Sequence, residues 1–293
     1  MNPRSCPICG GPARVSGSRI GAYKDQEFLY FGCESCHFSF VGNPWVEFDK
    51  IYSKEYYEGK GVDPAVDYLF ELENENSCIR RYEWEGLCEI VSHLFPRDTK
   101  KLRWLDYGCG HGGLVRHARQ YRDQDCIGFD EGYIADISRE RGIPILKKDD
   151  LGKLKSSFDL VTAIEVIEHV MDPLAFLREV RSLLKPGGIF FLTTGNAQPW
   201  RNRIPQWSYA SVPEVHVSFF EPGTLAVAME KTGFKAEYRG YIPGFSAVIK
   251  FKVLKTLRRR YASTVLDLLP WGIIARVVDA RHGVTRHPIG IAV

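Results

Sequence analysis

The sequence predicts an α/β fold on a parallel, doubly wound sheet, and three observations carry that prediction. Short apolar runs alternate with stretches of helical periodicity from residue 102 onward. One of those runs opens directly into a glycine-rich loop followed by a helix pattern. The turn signals between them are the Asp-Pro and Pro-Gly-Gly kind that start and stop helices.

In order, Ile79, Tyr82, Leu87, Ile90, Val91 and Leu94 fit one face of a helix that stops at Pro96. Residues 102–107 read as a strand, 112–121 as a helix, 125–130 as a strand, and 143–146 and 158–164 as two more. Asp172-Pro173 is an N-cap followed by proline at the first helical position, and Leu174, Leu177, Val180 and Leu184 line the helix it opens. Lys185-Pro186-Gly187-Gly188 ends it before a strand at 189–194. Residues 234–241 read as a strand, and 288–293 as the last one, pairing antiparallel.

Composition bounds the rest. The 293 residues carry 39 Lys+Arg against 36 Asp+Glu, with 44% hydrophobic and 26% charged residues. Those proportions exclude a disordered or fibrous chain. No apolar run approaches the roughly 18 residues of a membrane-spanning helix. The first six residues hold no apolar signal segment, so a cytoplasmic location with reduced cysteines is expected.

Four of the eight cysteines separate from the others. Cys6-Pro7-Ile8-Cys9 and Cys33-Glu34-Ser35-Cys36 are two C-x-x-C knuckles, with a strand expected at 27–32 leading into the second. Two knuckles joined by a hairpin offer four sulfurs in the tetrahedral arrangement of structural zinc, so Cys6, Cys9, Cys33 and Cys36 are the expected metal ligands of a zinc-ribbon module. A redox role needs only one pair. Cys78 and Cys88, in a helical pattern, and Cys126, in a strand, read as buried hydrophobes. Domains follow as 1–43 (zinc module), 44–98 (connector rich in Tyr52, Tyr56, Tyr57 and acids, then helices) and 99–293, with a basic helical insert at about 245–284.

The glycine loop is the main functional signal. Gly108-Cys109-Gly110-His111-Gly112-Gly113 follows a strand and opens a helix, and the next strand ends in Asp130, placed to accept hydrogen bonds from ribose hydroxyls. Gly108, Gly110 and Gly113 satisfy the dinucleotide fingerprint. With Asp106 and Gly112 the same residues read D-x-G-x-G-x-G. That pattern resembles the first cofactor motif of class I S-adenosylmethionine-dependent methyltransferases, and three further segments agree. These are the run from Phe158 to Val161 with Glu165-Val166-Ile167-Glu168-His169, the Lys185–Gly188 turn, and Lys148-Asp149-Asp150-Leu151. The resemblance implies a Rossmann-like seven-stranded sheet and S-adenosylmethionine held by Asp106, Gly108, Cys109, Gly110, Gly112, Asp130 and Glu165. It also implies contacts near the adenine from Leu151 and from Asp149 or Asp150.

Glu165-x-x-Glu168-His169 and the segment around His216 are similar to ubiquinone-biosynthesis-type O-methyltransferases. The likeness implies His216, His169 and Glu165 as the catalytic set, with His216 as base or substrate contact. It also raises a second divalent cation at Glu165, Glu168 and His169. The zinc module joined to this domain resembles bacterial sugar and natural-product methyltransferases. The implied acceptor is a small molecule carrying a hydroxyl. The alternatives are a lipid-linked acceptor or RNA, the latter disfavoured by the balanced charge. From Lys250 to Arg286, nine Lys+Arg face Asp267 and Asp279. Leu254, Leu257, Tyr261, Val265 and Leu268 are expected to share one helical face there. The basic side suits packing on the domain, an anionic acceptor or peripheral contact with a membrane.

Overall fold

The computed structural model describes residues 4–23, 25–61, 67–95, 101–282 and 288–293. The strands are β1 (Arg4–Ser5), β2 (Pro12–Ile20), β3 (Glu27–Cys33), β4 (Ser39–Val41), β5 (Arg103–Tyr107), β6 (Asp125–Phe129), β7 (Ile145–Leu146), β8 (Phe158–Ile164), β9 (Leu184–Thr193), β10 (Ser218–Phe219), β11 (Phe234–Glu237) and β12 (Ile289–Ala292). The α-helices are α1 (Tyr68–Glu73), α2 (Arg80–Leu94), α3 (Gly113–Arg122), α4 (Tyr133–Glu140), α5 (Lys148–Leu151), α6 (Pro173–Leu183), α7 (Pro222–Lys231), α8 (Phe245–Thr256), α9 (Thr264–Asp267) and α10 (Trp271–His282). A seven-stranded sheet has the order β11-β12-β9-β8-β5-β6-β7, and a five-stranded sheet the order β1-β2-β3-β4-β10. The expected Rossmann-like fold is therefore present. Two compact units divide the chain: Met1–Ile51, Leu154–Tyr238 and Arg286–Val293 form the first, and Tyr52–Lys153 with Arg239–Thr285 the second.

In the first unit the cysteine knuckles sit at the ends of the β2–β3 hairpin, as expected. The small sheet does not stop with the cysteine module. β4 pairs antiparallel with β10, so the segment just after His216 is a strand of that sheet. β8 and β9 run parallel through a buried core that includes Phe158, Leu160, Phe190 and Leu192. Asp172 caps α6 by accepting from Ala175 N at 2.9 Å, and Pro173 opens it. β12 is antiparallel between β9 and β11. The strand expected at 234–241 ends at Glu237, whose partner is Ile289. Pro288 precedes that partner and has no N–H to extend the ladder.

In the second unit β5, β6 and β7 are parallel and α3 follows the glycine loop. Helix α2 buries more than one face: Tyr82, Trp84, Leu87, Cys88, Ile90 and Val91 are all covered. α8 crosses it at two glycines. A Cβ on Gly86 would lie 2.5 Å from Gly244 O, and one on Gly244 only 2.3 Å from Gly86 O. The shared apolar face expected for 254–268 does not form. Leu254 is 1% exposed, but Leu257 is 63%, Tyr261 56%, Val265 71% and Leu268 84%. The helix stops at Thr256, capped by the left-handed Arg258 (φ 54°) with Arg259 N donating to Leu254 O at 3.0 Å. The chain beyond pairs with residues 77–79: Ile79 N donates to Arg260 O at 2.9 Å and Ala262 N to Ser77 O at 2.7 Å. Cys78, expected within a helix, instead lies in the bridge this makes with Tyr261. Pro96, the last residues of the predicted insert and Arg286 lie outside the described residues.

Candidate functional site

The four knuckle sulfurs converge. Cys6 Sγ lies 3.6 Å from Cys36 Sγ, and Cys9 Sγ 3.4 Å from Cys33 Sγ. One sulfur from each of the four lies within 4.8 Å of the others. Backbone N–H groups of Ile8, Gly11 and Cys36 point at three of the sulfurs at 3.3–3.5 Å. All eight cysteines are free of disulfides. His37 takes the left-handed conformation, φ 62°, where a Cβ is disfavoured, and His37 N donates to Cys33 O at 3.1 Å.

The glycine loop owes its shape to its composition. Gly108, Gly110 and Gly112 have φ of 76°, 56° and 76°, all in the left-handed region that L side chains avoid. Gly110 N donates to Asp130 Oδ2 at 2.6 Å and Glu131 N to Asp130 Oδ1 at 2.8 Å, so the acid at the end of β6 holds the loop. Burial pushes the Asp130 carboxyl up to about 6, against the pull of those two N–H groups. Asp106 is buried. The Cys109 thiol is buried too, 2.5 Å from where a Cβ on Gly128 would stand, so what Cys109 offers a ligand is backbone. Leu151 is buried, while Asp149 and Asp150 are exposed and Asp150 pairs with Lys153 at 3.0 Å.

Tyrosines of the connector cover the loop. Tyr57 and Tyr68 stack at 5.9 Å, Tyr68 stacks on His111 at 5.4 Å, and a Cβ on Gly110 would meet the Tyr68 ring at 3.4 Å. His111 is buried, its Nε2 has no hydrogen-bond partner among the described residues, with Glu71 Oε2 3.9 Å away, and burial holds it neutral, down to about 3. Tyr68 has no motif signal and escapes a sequence reading.

In the first unit the acids after β8 form a proton-sharing cluster. Glu165 adopts φ 56°, and its N–H donates to Thr193 O at 3.0 Å. A non-glycine residue held in the left-handed region at a strand end is a mark of functional sites. Thr193 Oγ1 donates to Glu165 Oε1 at 3.0 Å and Thr194 Oγ1 to Glu168 Oε2 at 2.9 Å. Tyr209 Oη lies 2.8 Å from Glu165 Oε2 and in short contact with Glu168 Oε1, and accepts from Gly195 N at 3.1 Å. A phenol has one proton and can donate to only one carboxylate. The second contact needs a second proton, and Glu168 carries it: burial, then the charge of Glu165, pushes Glu168 up to about 8. The chain runs from the Glu168 acid to Tyr209 and from Tyr209 to the Glu165 carboxylate.

Two histidines adjoin this chain. His169 Nδ1 bonds to Val215 O at 3.0 Å, and His216 Nδ1 to Tyr209 O. Carbonyls only accept, so Nδ1 of each ring carries a proton, and Nε2 is the nitrogen that is basic when the ring is neutral. Burial, aided by His216, pushes His169 down to about 3, so it is neutral at pH 7. The rings pack at 4.7 Å, and Tyr209 stacks on His216 at 4.5 Å. Glu168, His169 and His216 come together, within 4.8 Å, as a candidate ligand set. This corrects the expected cation set, in which Glu165 stood in place of His216. Both Glu168 oxygens are already engaged by Tyr209 and Thr194, so the donor set fits a cation poorly.

Tyr209 is the residue that sequence reasoning missed. Its one signal is the aromatic-rich stretch after β9, where Trp200, Trp207 and Tyr209 stack in succession at 6.1 and 4.8 Å. The cysteine module braces that stretch. Tyr30 Oη donates to Ala210 O at 2.9 Å, Arg19 Nη1 to Pro205 O at 2.8 Å, and Val41 N to Val217 O at 2.9 Å.

A mainly parallel sheet with a strand–glycine loop–helix unit, and an acid closing the next strand onto that loop, defines a Rossmann-like nucleoside-binding protein. Residues 79–238, just over half the chain, match the family model described as a methyltransferase domain, and the chain belongs to that family of class I S-adenosylmethionine-dependent methyltransferases. Similar relatives include a ubiquinone biosynthesis O-methyltransferase of Cereibacter sphaeroides (strain ATCC 17025), 35% identical over 44% of this chain and 56% of that protein. Another, bearing the same name, from Ruegeria pomeroyi is 39% identical over 33% of this chain and 43% of its own length. The chain thus spans about half the length of the curated relatives it matches. Among solved structures, a SAM-dependent methyltransferase from Archaeoglobus fulgidus aligns with TM-score 0.43 and 18% identity over 76% of this chain and 98% of that one.

Proposed function

We propose that the chain methylates a hydroxyl of a small molecule at the expense of S-adenosylmethionine, and that its four-cysteine cluster holds one structural zinc ion. The observation that carries the reading is the histidine pair, each ring fixed by a backbone carbonyl with Nε2 as its basic nitrogen. Such a ring can take the proton of a hydroxyl as the methyl arrives. S-adenosylmethionine, when bound, supplies an electrophilic methyl on a sulfonium. The residues present suit it: three left-handed glycines admit close backbone approach, and Asp130 has lone pairs left for ribose hydroxyls. His216 removes or orients the acceptor proton, and the neutral Glu168 keeps Tyr209 and Glu165 in one geometry. The relatives' names support oxygen as the atom methylated. Sugars, sugar nucleotides and natural-product intermediates are the acceptor classes to try first.

The zinc reading rests on sulfur geometry. A tetrahedral site with Zn–S bonds of about 2.3 Å separates its sulfurs by about 3.8 Å, close to the 3.4 and 3.6 Å seen here. Methyl-labelled S-adenosylmethionine, offered with a panel of hydroxyl-bearing acceptors, tests the activity. Label should appear in an ether-linked methyl, and its appearance in RNA alone would overturn the small-molecule reading. Elemental analysis should give one zinc per chain.

A further inference from the structure

The cationic end of α8 has no part in methyl transfer as derived above. In the second unit a cavity of about 530 Å³ carries Phe70, Glu71, Lys255, Arg258, Arg259 and Arg260 on its walls. Its acids are already engaged: Glu71 accepts from Arg80 Nε at 3.0 and 3.2 Å, and Asp67 pairs with Arg260. Arg258 and Arg259 are exposed, and among the described residues neither has an ion-pair partner. Cations gathered in one cavity repel one another unless an anion sits among them.

The segment is also held in place rather than left to fray. Arg258 adopts φ 54°, an uncommon backbone for arginine. Arg258 N donates to Lys255 O at 2.9 Å, Arg259 N to Leu254 O at 3.0 Å, and Arg260 O accepts from Ile79 N at 2.9 Å. The Arg260 guanidinium lies 3.8 Å over the Phe70 ring, which fixes its plane. Planar guanidinium forks match phosphate oxygens in pairs, and the aromatic wall offers a surface for an attached organic group.

We propose that this cavity binds a phosphoryl or diphosphoryl group, either borne on a small organic ligand or as the free anion. The two unpaired arginines match a doubly charged group, where a lone carboxylate would leave one of them uncompensated. The proposal concerns binding and stands apart from the methyl-transfer reading.

Calorimetric titration of the 293-residue chain with uridine diphosphate and with inorganic pyrophosphate tests it. At least one should saturate a single site per chain. The double variant Arg258→Gln/Arg259→Gln should weaken that binding at least tenfold, with an unchanged melting temperature. Tighter binding of uridine diphosphate supports an organic ligand, and equal or tighter binding of pyrophosphate supports the free anion. Absence of saturable binding by both, or a double variant that titrates like the parent, overturns the proposal. A parallel titration with S-adenosylmethionine reads the cofactor loop alone, so failure there leaves this result interpretable.

Discussion

The glycine loop and the Glu165–Tyr209–Glu168 cluster reach functional geometry by opposite routes. The loop is local: three glycines within five residues set its path, and Asp130 ties it down through Gly110 N. The cluster is assembled at a distance. Tyr209 lies 44 residues from Glu165 and 41 from Glu168, on a stretch braced by the cysteine module. Local geometry is written in residue types, whereas assembled geometry depends on packing of segments far apart in sequence. Damage to one should leave the other's function readable.

The largest expected effect is on turnover. Tyr209→Phe removes the hydroxyl that bridges two acids and accepts from Gly195 N. Turnover should fall about a hundredfold, in the range for loss of one positioned donor, with S-adenosylmethionine affinity changed less than about threefold. Equal loss of both would end the contrast. Gly112→Ala should do the reverse. A Cβ there would stand 2.7 Å from Ile143 Cγ2 at φ 76°, and cofactor affinity should fall at least about tenfold.

Metal removal addresses the brace. Cys33→Ser, or chelation, should lower the melting temperature by several degrees and reduce turnover more than cofactor affinity. Unchanged kinetics in a zinc-free protein would separate the module from the site. The smallest effect is on pH dependence. Folding raises Glu168 from 4.5 to about 8. Between those values the unfolded chain loses a proton that the folded chain keeps, so this group's contribution is full below 4.5 and fades as pH rises through 8. Glu168→Gln, which has no such proton to lose, should therefore gain on the parent in melting temperature as the pH rises from 5 to 8. A constant difference would show that Glu168 is ionised.

Much of the fold was legible in the sequence, because Asp172-Pro173, the glycine loop and the alternation of periods are local signals. The paired knuckles were legible for the same reason. The failures were all non-local. The chain after Thr256 gives up its helix to pair with residues 77–79, which no periodicity announces. Glu165 was placed beside a cation because it shares a motif with Glu168. The structure binds its carboxylate to Thr193 and Tyr209 and gathers His216 with Glu168 and His169 in its stead. Tyr209 and Tyr68 carry no motif, and only the folded chain shows what they touch.

Titration calorimetry of S-adenosylmethionine into the 293-residue chain and into its Asp130→Ala variant bears most directly on the glycine loop as the cofactor site. One equivalent should bind the parent, and the variant, lacking the carboxylate that holds Gly110 N, should bind at least about tenfold more weakly. No binding by the parent, or equal binding by both, would contradict the assignment.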